Sequence, residues 1–376
     1  MSDFNPFTLK NYLGPAYFCD REDELKILLE KQSNQRNCTL ISNRKIGKTA
    51  LIYHFFHQIK QQNSDIICLY IDLFATQNFN DLVKEIIKEI GIKFYPKPSH
   101  FIKNIGQIFS SIRPVITFDT LTGIPQIELN LEGEVQKKQT IDQIFDFLNT
   151  RKHNVIVAFD EFQQIANYPE TNTEALLRTK IQNMHQVQFI FSGSNKHMLY
   201  QMFASAKRPF YQSTDFMYLN AIAKDAYGLF IKKHLIENKK EINDDTLEYL
   251  FQFTRVHTYF VQAMCNRLYN YPKKQLTIEH VKDVSELIFI ENETFYINYR
   301  SLLTQPQWLL LKAIAKEDGA SHLQSKEFIE KHHLSTHATV KRSLEKLLDT
   351  EMVFETEGTY YVQDVFLSRW LEKLPY

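Results

Sequence analysis

Hydrophobic residues follow two spacings that alternate over the first 220 positions, and largely one spacing thereafter. Short, nearly continuous apolar runs at 38–41, 66–72, 154–159 and 187–192, with another near 214–219, read as strands buried on both faces. Between them, 20–32, 50–60, 79–90 and 140–148 repeat apolar positions every three or four residues, the spacing of amphipathic helices. Strand and helix in alternation predict a parallel sheet flanked by helices. Residues 96–135 interrupt that rhythm. A helix is predicted over 101–111, then two strands, 114–118 and 125–129, joined by Asp119-Thr-Leu-Thr-Gly-Ile, which reads as an inserted β-hairpin.

Beyond about 221 the spacing is helical, at 225–235, 244–253, 258–268 and 278–290. The tail offers helices at 306–315, 325–333 and 335–349, then strands at 352–355 and 359–362 around Glu357-Gly358. Three helices and a hairpin in that order describe a winged helix-turn-helix. The expected division is an α/β core over 1–220 with its hairpin insertion at about 96–135, a helical lid over 221–298, and a winged helix-turn-helix over 299–376.

Composition adds exclusions. The 376 residues suffice for two or three domains, and 44% hydrophobic with 23% charged residues is ordinary for a globular chain. Lys plus Arg and Asp plus Glu number 44 each, so the overall field does not steer the chain toward nucleic acid or an anionic membrane. No apolar run is long enough to span a bilayer, and the first residues lack a secretory leader's basic and apolar regions. Cys19, Cys38, Cys68 and Cys265 stand apart without CxxC pairing, as buried thiols in a reducing compartment do. A cytoplasmic protein is expected. The 29 Phe and 19 Tyr, spread along the chain, read as core. His332-His333, without ligand partners in sequence, reads as surface rather than a metal site.

The chemistry concentrates at two strand ends. After the first strand come Ser42, Asn43, Arg44, Lys45, Ile46, Gly47, Lys48 and Thr49, then Ala50 inside a helix. A strand, a tight loop and a helix whose first turn offers free N–H groups make a phosphate cradle. Gly47 lets the backbone approach phosphate, Lys48 reaches the β- and γ-phosphates, and the Thr49 hydroxyl meets Mg²⁺. Ser42 stands where this motif usually has its first glycine; a left-handed backbone there would cost about 1–2 kcal/mol. The apolar run 154–159 ends in Asp160 and Glu161, which suits a buried strand delivering Asp160 to the metal and Glu161 to an attacking water. The strand 187–192 ends in Ser192 and is followed by Gly193, Ser194 and Asn195. Either serine can sense the γ-phosphate, and Ser194 equally reads as the cap of a helix starting near Lys196. Arg208 precedes the last strand, as an arginine finger toward a neighbouring subunit or as a solvated arginine. Asp72, at its strand's tip, reads as a neighbour of the nucleotide or as a cap.

These stretches, with Tyr17-Phe-Cys-Asp-Arg-Glu-Asp-Glu-Leu, Asp160-Glu-Phe-Gln, Phe191-Ser-Gly-Ser and Thr254-Arg-Val-His-Thr-Tyr-Phe-Val-Gln, resemble the archaeal-type ATPase family among the AAA+ and STAND-like P-loop ATPases. The resemblance spans nearly the whole chain. It implies a P-loop ATPase core, a helical lid and a C-terminal winged helix, with Phe18 and Arg21 near the adenine of ATP·Mg²⁺. The sequence departs at Ser42, at Thr254-Arg-Val-His, which lacks a frequent Gly-Gly, and at Tyr211-Gln-Ser-Thr, where the family often has Tyr-Gly-Arg. The last departure leaves only Arg208 as a finger.

On the predicted recognition helix, capped by Ser335, Val340, Leu344, Leu347 and Leu348 face inward, while Lys341, Arg342 and Lys346 lie on or beside the opposite face. That face suits phosphate or guanine edges of double-stranded DNA. Against it, residues 300–376 hold ten Lys/Arg and eleven Asp/Glu, and the wing carries Glu351, Glu355 and Glu357. DNA and a protein partner both stand as readings, and monomer or homo-oligomer stays open. The functional expectation is an ATP-hydrolysing switch that moves its winged helix to contact DNA or a protein partner; the alternative is a nucleotide-binding signalling or scaffold protein with slow or no hydrolysis and no DNA binding. A small-molecule kinase is disfavoured because a long helical region follows the core in place of a compact arginine-bearing lid.

Overall fold

The apolar runs do form the predicted sheet. A computed structural model of the chain describes residues 4–10, 12–95, 97–108, 115–119, 125–129, 131, 133–150 and 154–375. Two compact units emerge, Lys10–Ala221 and Met1–Leu9 with Ile222–Tyr376.

In the first unit β1 (Cys38–Ser42), β2 (Ile67–Asp72), β5 (Val155–Asp160), β6 (Val187–Gly193) and β7 (Asp215–Leu219) form one parallel sheet in the order β2-β5-β6-β1-β7. Alternate side chains feed opposite faces. Val155, Val157 and Phe159 join a core with α3 (Phe79–Phe94), α5 (Gly133–Asn149), α6 (Thr173–Ile181) and α7 (Lys196–Ala204). Ile156 and Ala158 join the other core, with α1 (Glu22–Ser33) and α2 (Lys48–Gln62). Burial on both faces is why these strands read as unbroken apolar runs. The insertion contains α4 (Pro98–Ile108) and an antiparallel hairpin of β3 (Val115–Phe118) and β4 (Pro125–Glu128). The hairpin forms its own two-stranded sheet. The expected helix end at 109–111 and the hairpin link at 120–124 lie outside the described residues.

The second unit has α8 (Lys224–Glu237), α9 (Asp244–Thr254), α10 (Thr258–Asn270) and α11 (Ile278–Leu302), with two-residue strands β8 (Glu241–Ile242) and β9 (Gln275–Leu276) paired between them. Residues 4–9 belong here, not to the core expected over 1–220. Phe7 is buried edge-on against Phe230, His234 and Tyr269, and its carbonyl accepts from Asn266 Nδ2 at 2.8 Å. The expected boundary at 298–299 falls inside α11, which continues through it. The winged helix comprises α12 (Gln305–Lys316), α13 (Lys326–Lys331), α14 (His337–Asp349), the antiparallel wing of β10 (Val353–Thr356) and β11 (Thr359–Val362), and a closing α15 (Val365–Lys373). His332 is buried rather than on the surface, with Nε2 2.8 Å from Glu317.

In the Thr254-Arg-Val-His stretch, Arg255 and Val256 both keep a left-handed backbone, at φ 51° and 52°. Each such residue costs about 1–2 kcal/mol, more for a β-branched one. The Arg255 guanidinium offsets part of this. It bonds Asp318 through Nε at 2.8 Å, Ser368 Oγ at 2.8 Å and the Val362 carbonyl at 3.2 Å, and lies over the Tyr361 ring. Arg369 bonds the same Asp318 and the carbonyls of Gln252 and Phe253 at the end of α9. Two arginines thus tie α9 to the winged helix. Beside them Gly319 has φ 112°, and a Cβ there would stand 2.2 Å from Tyr361 Cε1. Gly319→Ala is expected to cost about 2 kcal/mol or more in urea unfolding; an unchanged midpoint would exclude this packing.

Candidate nucleotide site

The loop between β1 and α2 turns through Lys45 (φ 60°) and Gly47 (φ 106°), while Ser42 keeps an ordinary negative φ. The strain expected at Ser42 is therefore absent. Its buried hydroxyl donates to the Asn43 carbonyl at 2.8 Å and accepts from Lys48 Nζ at 3.1 Å. No side chain caps α2, so its first-turn N–H groups are left for an anion. Lys48 is 6% exposed, and its hydrogen-bond acceptors, Ser42 Oγ and at 3.5 Å the Asn43 carbonyl, are neutral. Burial pushes the amine below the usual lysine range, against the pull of the Glu161 and Asp160 carboxylates. A buried ammonium without a bonded anion, at an open helix N-terminus, fits a bound phosphate chain.

Parallel pairing brings the end of β5 beside the ends of β2 and β6, and Asp160 gathers donors from all sides. Its Oδ2 accepts from Thr49 Oγ1 at 2.8 Å and Tyr70 OH at 2.6 Å; its Oδ1 accepts from Ser192 Oγ at 2.5 Å and the Glu161 N–H at 3.0 Å. Burial, then Asp160 itself, push the Tyr70 pKa upward, so this phenol stays a donor. The Thr49 hydroxyl beside the Asp160 carboxylate is an oxygen pair of the kind that would hold Mg²⁺. Glu161 is left-handed (φ 52°, ψ 42°) at the start of a 3₁₀ turn, Phe162–Asn167. Its Oε2 accepts from Gln163 Nε2 at 2.5 Å, the Ser194 N–H at 3.1 Å and Ser194 Oγ at 2.9 Å.

A family model described as an AAA domain matches residues 31–202, and one described as a probable winged helix domain matches residues 294–373. The chain carries an AAA domain followed by a winged helix domain. No curated protein matches the sequence. Solved structures share the fold at low identity. The Walker-type ATPase of Pyrococcus abyssi is 18% identical, with 97% of this chain and 99% of that one covered at a TM-score of 0.65. The Aeropyrum pernix ORC2 protein, in its ADPNP–ADP complexes, is 13% identical, with 99% and 96% covered and a TM-score of 0.61. The Aeropyrum pernix ORC1 protein, in complex with DNA, is also 13% identical, with 98% and 96% covered and a TM-score of 0.54. The AAA-type P-loop ATPase fold, helical region and winged helix expected from the sequence are what the chain has.

The remaining expected site residues of the unit Lys10–Ala221 are unevenly placed. Phe18 stacks on His54 of α2 at 4.3 Å, and Tyr12 OH bonds His54 Nδ1 at 2.8 Å. Arg21 is buried and committed to Glu24 Oε1 at 2.7 Å and the Asn220 carbonyl at 2.6 Å, fixing the start of α1 to the end of β7. Its guanidinium is structural, not poised for adenine. Arg208 pairs with the mostly buried Glu174 of α6 rather than projecting as a finger. Ser194 bonds Glu161, and the cap of α7 is Asn195, whose side chain accepts from the Met198 N–H. Asp72 accepts from the Phe74 N–H at 2.9 Å, the capping reading. Nothing in the spacing marks Tyr70, a tyrosine inside an apolar strand, or singles out Gln163 within Asp160-Glu-Phe-Gln. In the winged helix domain Val340, Leu344 and Leu347 are buried, Lys341, Arg342 and Lys346 are exposed, and Thr336 rather than Ser335 caps α14. Among the described residues no helix is long and apolar enough to cross a membrane.

Proposed function

We propose that the chain is an ATP-driven switch, which binds ATP·Mg²⁺ at residues 42–50, hydrolyses it, and lets nucleotide state govern what its winged helix contacts. The observation that carries this reading is the 2.8 Å hydrogen bond from Thr49 Oγ1 to Asp160 Oδ2, beside the buried Lys48 amine. It joins the phosphate loop of β1 to the acidic end of β5, although β6 lies between the two strands. Bound Mg²⁺ supplies neutralisation of phosphate charge. Lys48 and the first N–H groups of α2 would hold the phosphates, and Thr49 and Asp160 would hold the metal. Glu161 takes a proton from the attacking water as the bond from the γ-phosphorus to the bridging oxygen breaks, giving ADP and inorganic phosphate. Phe18, on its His54 platform, offers an aromatic face to the adenine. Arg208, engaged by Glu174, is given no part.

For the output, double-stranded DNA is the first reading. It is supported by the exposed Lys341, Arg342 and Lys346 of α14, and by the likeness to the Aeropyrum pernix ORC1 protein solved with DNA. A protein partner is the second, favoured by the exposed acidic residues Glu345, Glu355 and Glu357. ATPase activity measured with and without duplex DNA, and DNA binding over a salt series, separate them. Three phosphate contacts would weaken binding about 40-fold between roughly 50 and 200 mM salt, and Arg342→Glu would weaken it about 10-fold more. Binding that ignores both salt and Arg342→Glu would leave the protein partner.

A further inference from the structure

We propose that Gln163 is a positioning residue for Glu161. This rests on the reading of Glu161 as the base, and the geometry around it carries the inference. Gln163 is 8% exposed, and its Nε2 donates to Glu161 Oε2 at 2.5 Å. Ser194 gives the same oxygen its N–H and its hydroxyl. Three donors converge on Oε2, and none of them goes to Oε1. A carboxylate fixed through one oxygen keeps the other aimed in a set direction, at a residue whose left-handed backbone already restricts it.

Gly193 is what admits the amide. Its φ is not left-handed, so the backbone alone does not require glycine there. The requirement is space, because a Cβ on Gly193 would stand 1.9 Å from Gln163 Oε1 and 3.0 Å from its Cδ. Gln163 Oε1, pressed against that gap, is buried without a hydrogen-bond partner. A buried amide that leaves its acceptor unsatisfied while donating to one carboxylate oxygen is costly as mere packing, and the cost has a use if the donor must stay in place. Gly193, Gln163 and Ser194 together form a bracket around one oxygen of Glu161.

Gln163→Met, Gly193→Ala and Glu161→Gln in the 376-residue chain, with Gln163→Met also made in the Glu161→Gln background, provide the test. ATP affinity is read with a fluorescent ATP analogue, steady-state kcat and KM by phosphate release, and slow variants by single-turnover hydrolysis. Gln163→Met removes the donor at similar volume and is expected to lower kcat about 10- to 50-fold, with KM within about twofold of wild type. Gly193→Ala should do the same by displacing the amide; should it fail to fold, Gln163→Met still decides. In the Glu161→Gln background Gln163→Met should cost nothing further, a non-additivity that general loss of packing would not produce. A kcat within twofold of wild type, a faster rate, or an equal loss in the Glu161→Gln background would each overturn the positioning role. Glu161→Gln as fast as wild type would remove the base itself, and the positioning with it. A slow Glu161→Gln beside an unaffected Gln163→Met sinks the positioning alone.

Discussion

Lys48→Ala is expected to weaken ATP binding at least about 100-fold, roughly 2.7 kcal/mol, and to abolish hydrolysis, while leaving the nucleotide-free fold at least as stable as before. The two halves have one cause. The amine is 6% exposed and has only neutral acceptors, so in the empty site it is a buried charge with incomplete compensation. Burial depresses its pKa, so its charged form is less favoured in the fold than in the unfolded chain. A depressed lysine detracts from stability at every pH below its unfolded pKa, and at neutral pH its removal relieves that cost. Phosphate would reverse the balance, because a desolvated ammonium bonds an anion far better than it bonds Ser42 Oγ. Thermal unfolding with and without ATP·Mg²⁺ measures both. Wild type should gain stability with ligand concentration, and Lys48→Ala should not. An equal ATP-dependent shift in the variant would remove Lys48 from the site; a large loss of apo stability would make it structural.

Much of this was legible because burial writes itself into sequence. Strands β1, β5 and β6 are covered on both faces, so runs such as Val-Ile-Val-Ala-Phe ahead of Asp160 needed no tertiary knowledge to find. Where a helix loses its buried face, the signal fades. The helical spacing of α11 fades at 290, whereas the helix runs to Leu302 with Tyr296 its one buried residue in that stretch. Helix α6 went unseen because Thr173–Ile181 buries mostly through Leu177, Ile181 and two polar residues.

Caps are ambiguous by one position for a different reason. Ser194-Asn195 and Ser335-Thr336 each set two competent acceptors side by side, and local chemistry does not choose between them. Tertiary contact chose Asn195 for the cap and left Ser194 for Glu161. The pairs that decide the fate of single residues span long separations, Arg208 with Glu174 and Arg21 with the Asn220 carbonyl, and no spacing rule reaches them. Ser42 was misjudged because the glycine usual at that place suggested a left-handed backbone, while here Lys45 and Gly47 make the turn.

Glu161→Gln is expected to keep ATP binding within a few-fold of wild type and to lower hydrolysis about 100- to 1,000-fold. The swap is nearly isosteric, and a glutamine carbonyl can still accept from Gln163 Nε2 and from the Ser194 N–H and hydroxyl, so the surroundings should hold their arrangement. What goes is the capacity to take a proton from water. Charge argues that affinity does not fall. Asp72, Asp160 and Glu161 crowd the ends of β2 and β5, and after burial, the carboxylates of Asp160 and Glu161 help push the Asp72 pKa upward. One fewer negative charge there favours an incoming polyphosphate. The ATP-dependent rise in melting temperature should therefore persist in the variant whose turnover has collapsed, opposite to Lys48→Ala, which loses both. That contrast separates a hydrolysing switch from a nucleotide-binding scaffold. If wild type binds ATP but turns over no faster than Glu161→Gln, the carboxylate is not a base, and the chain senses nucleotide by occupancy alone.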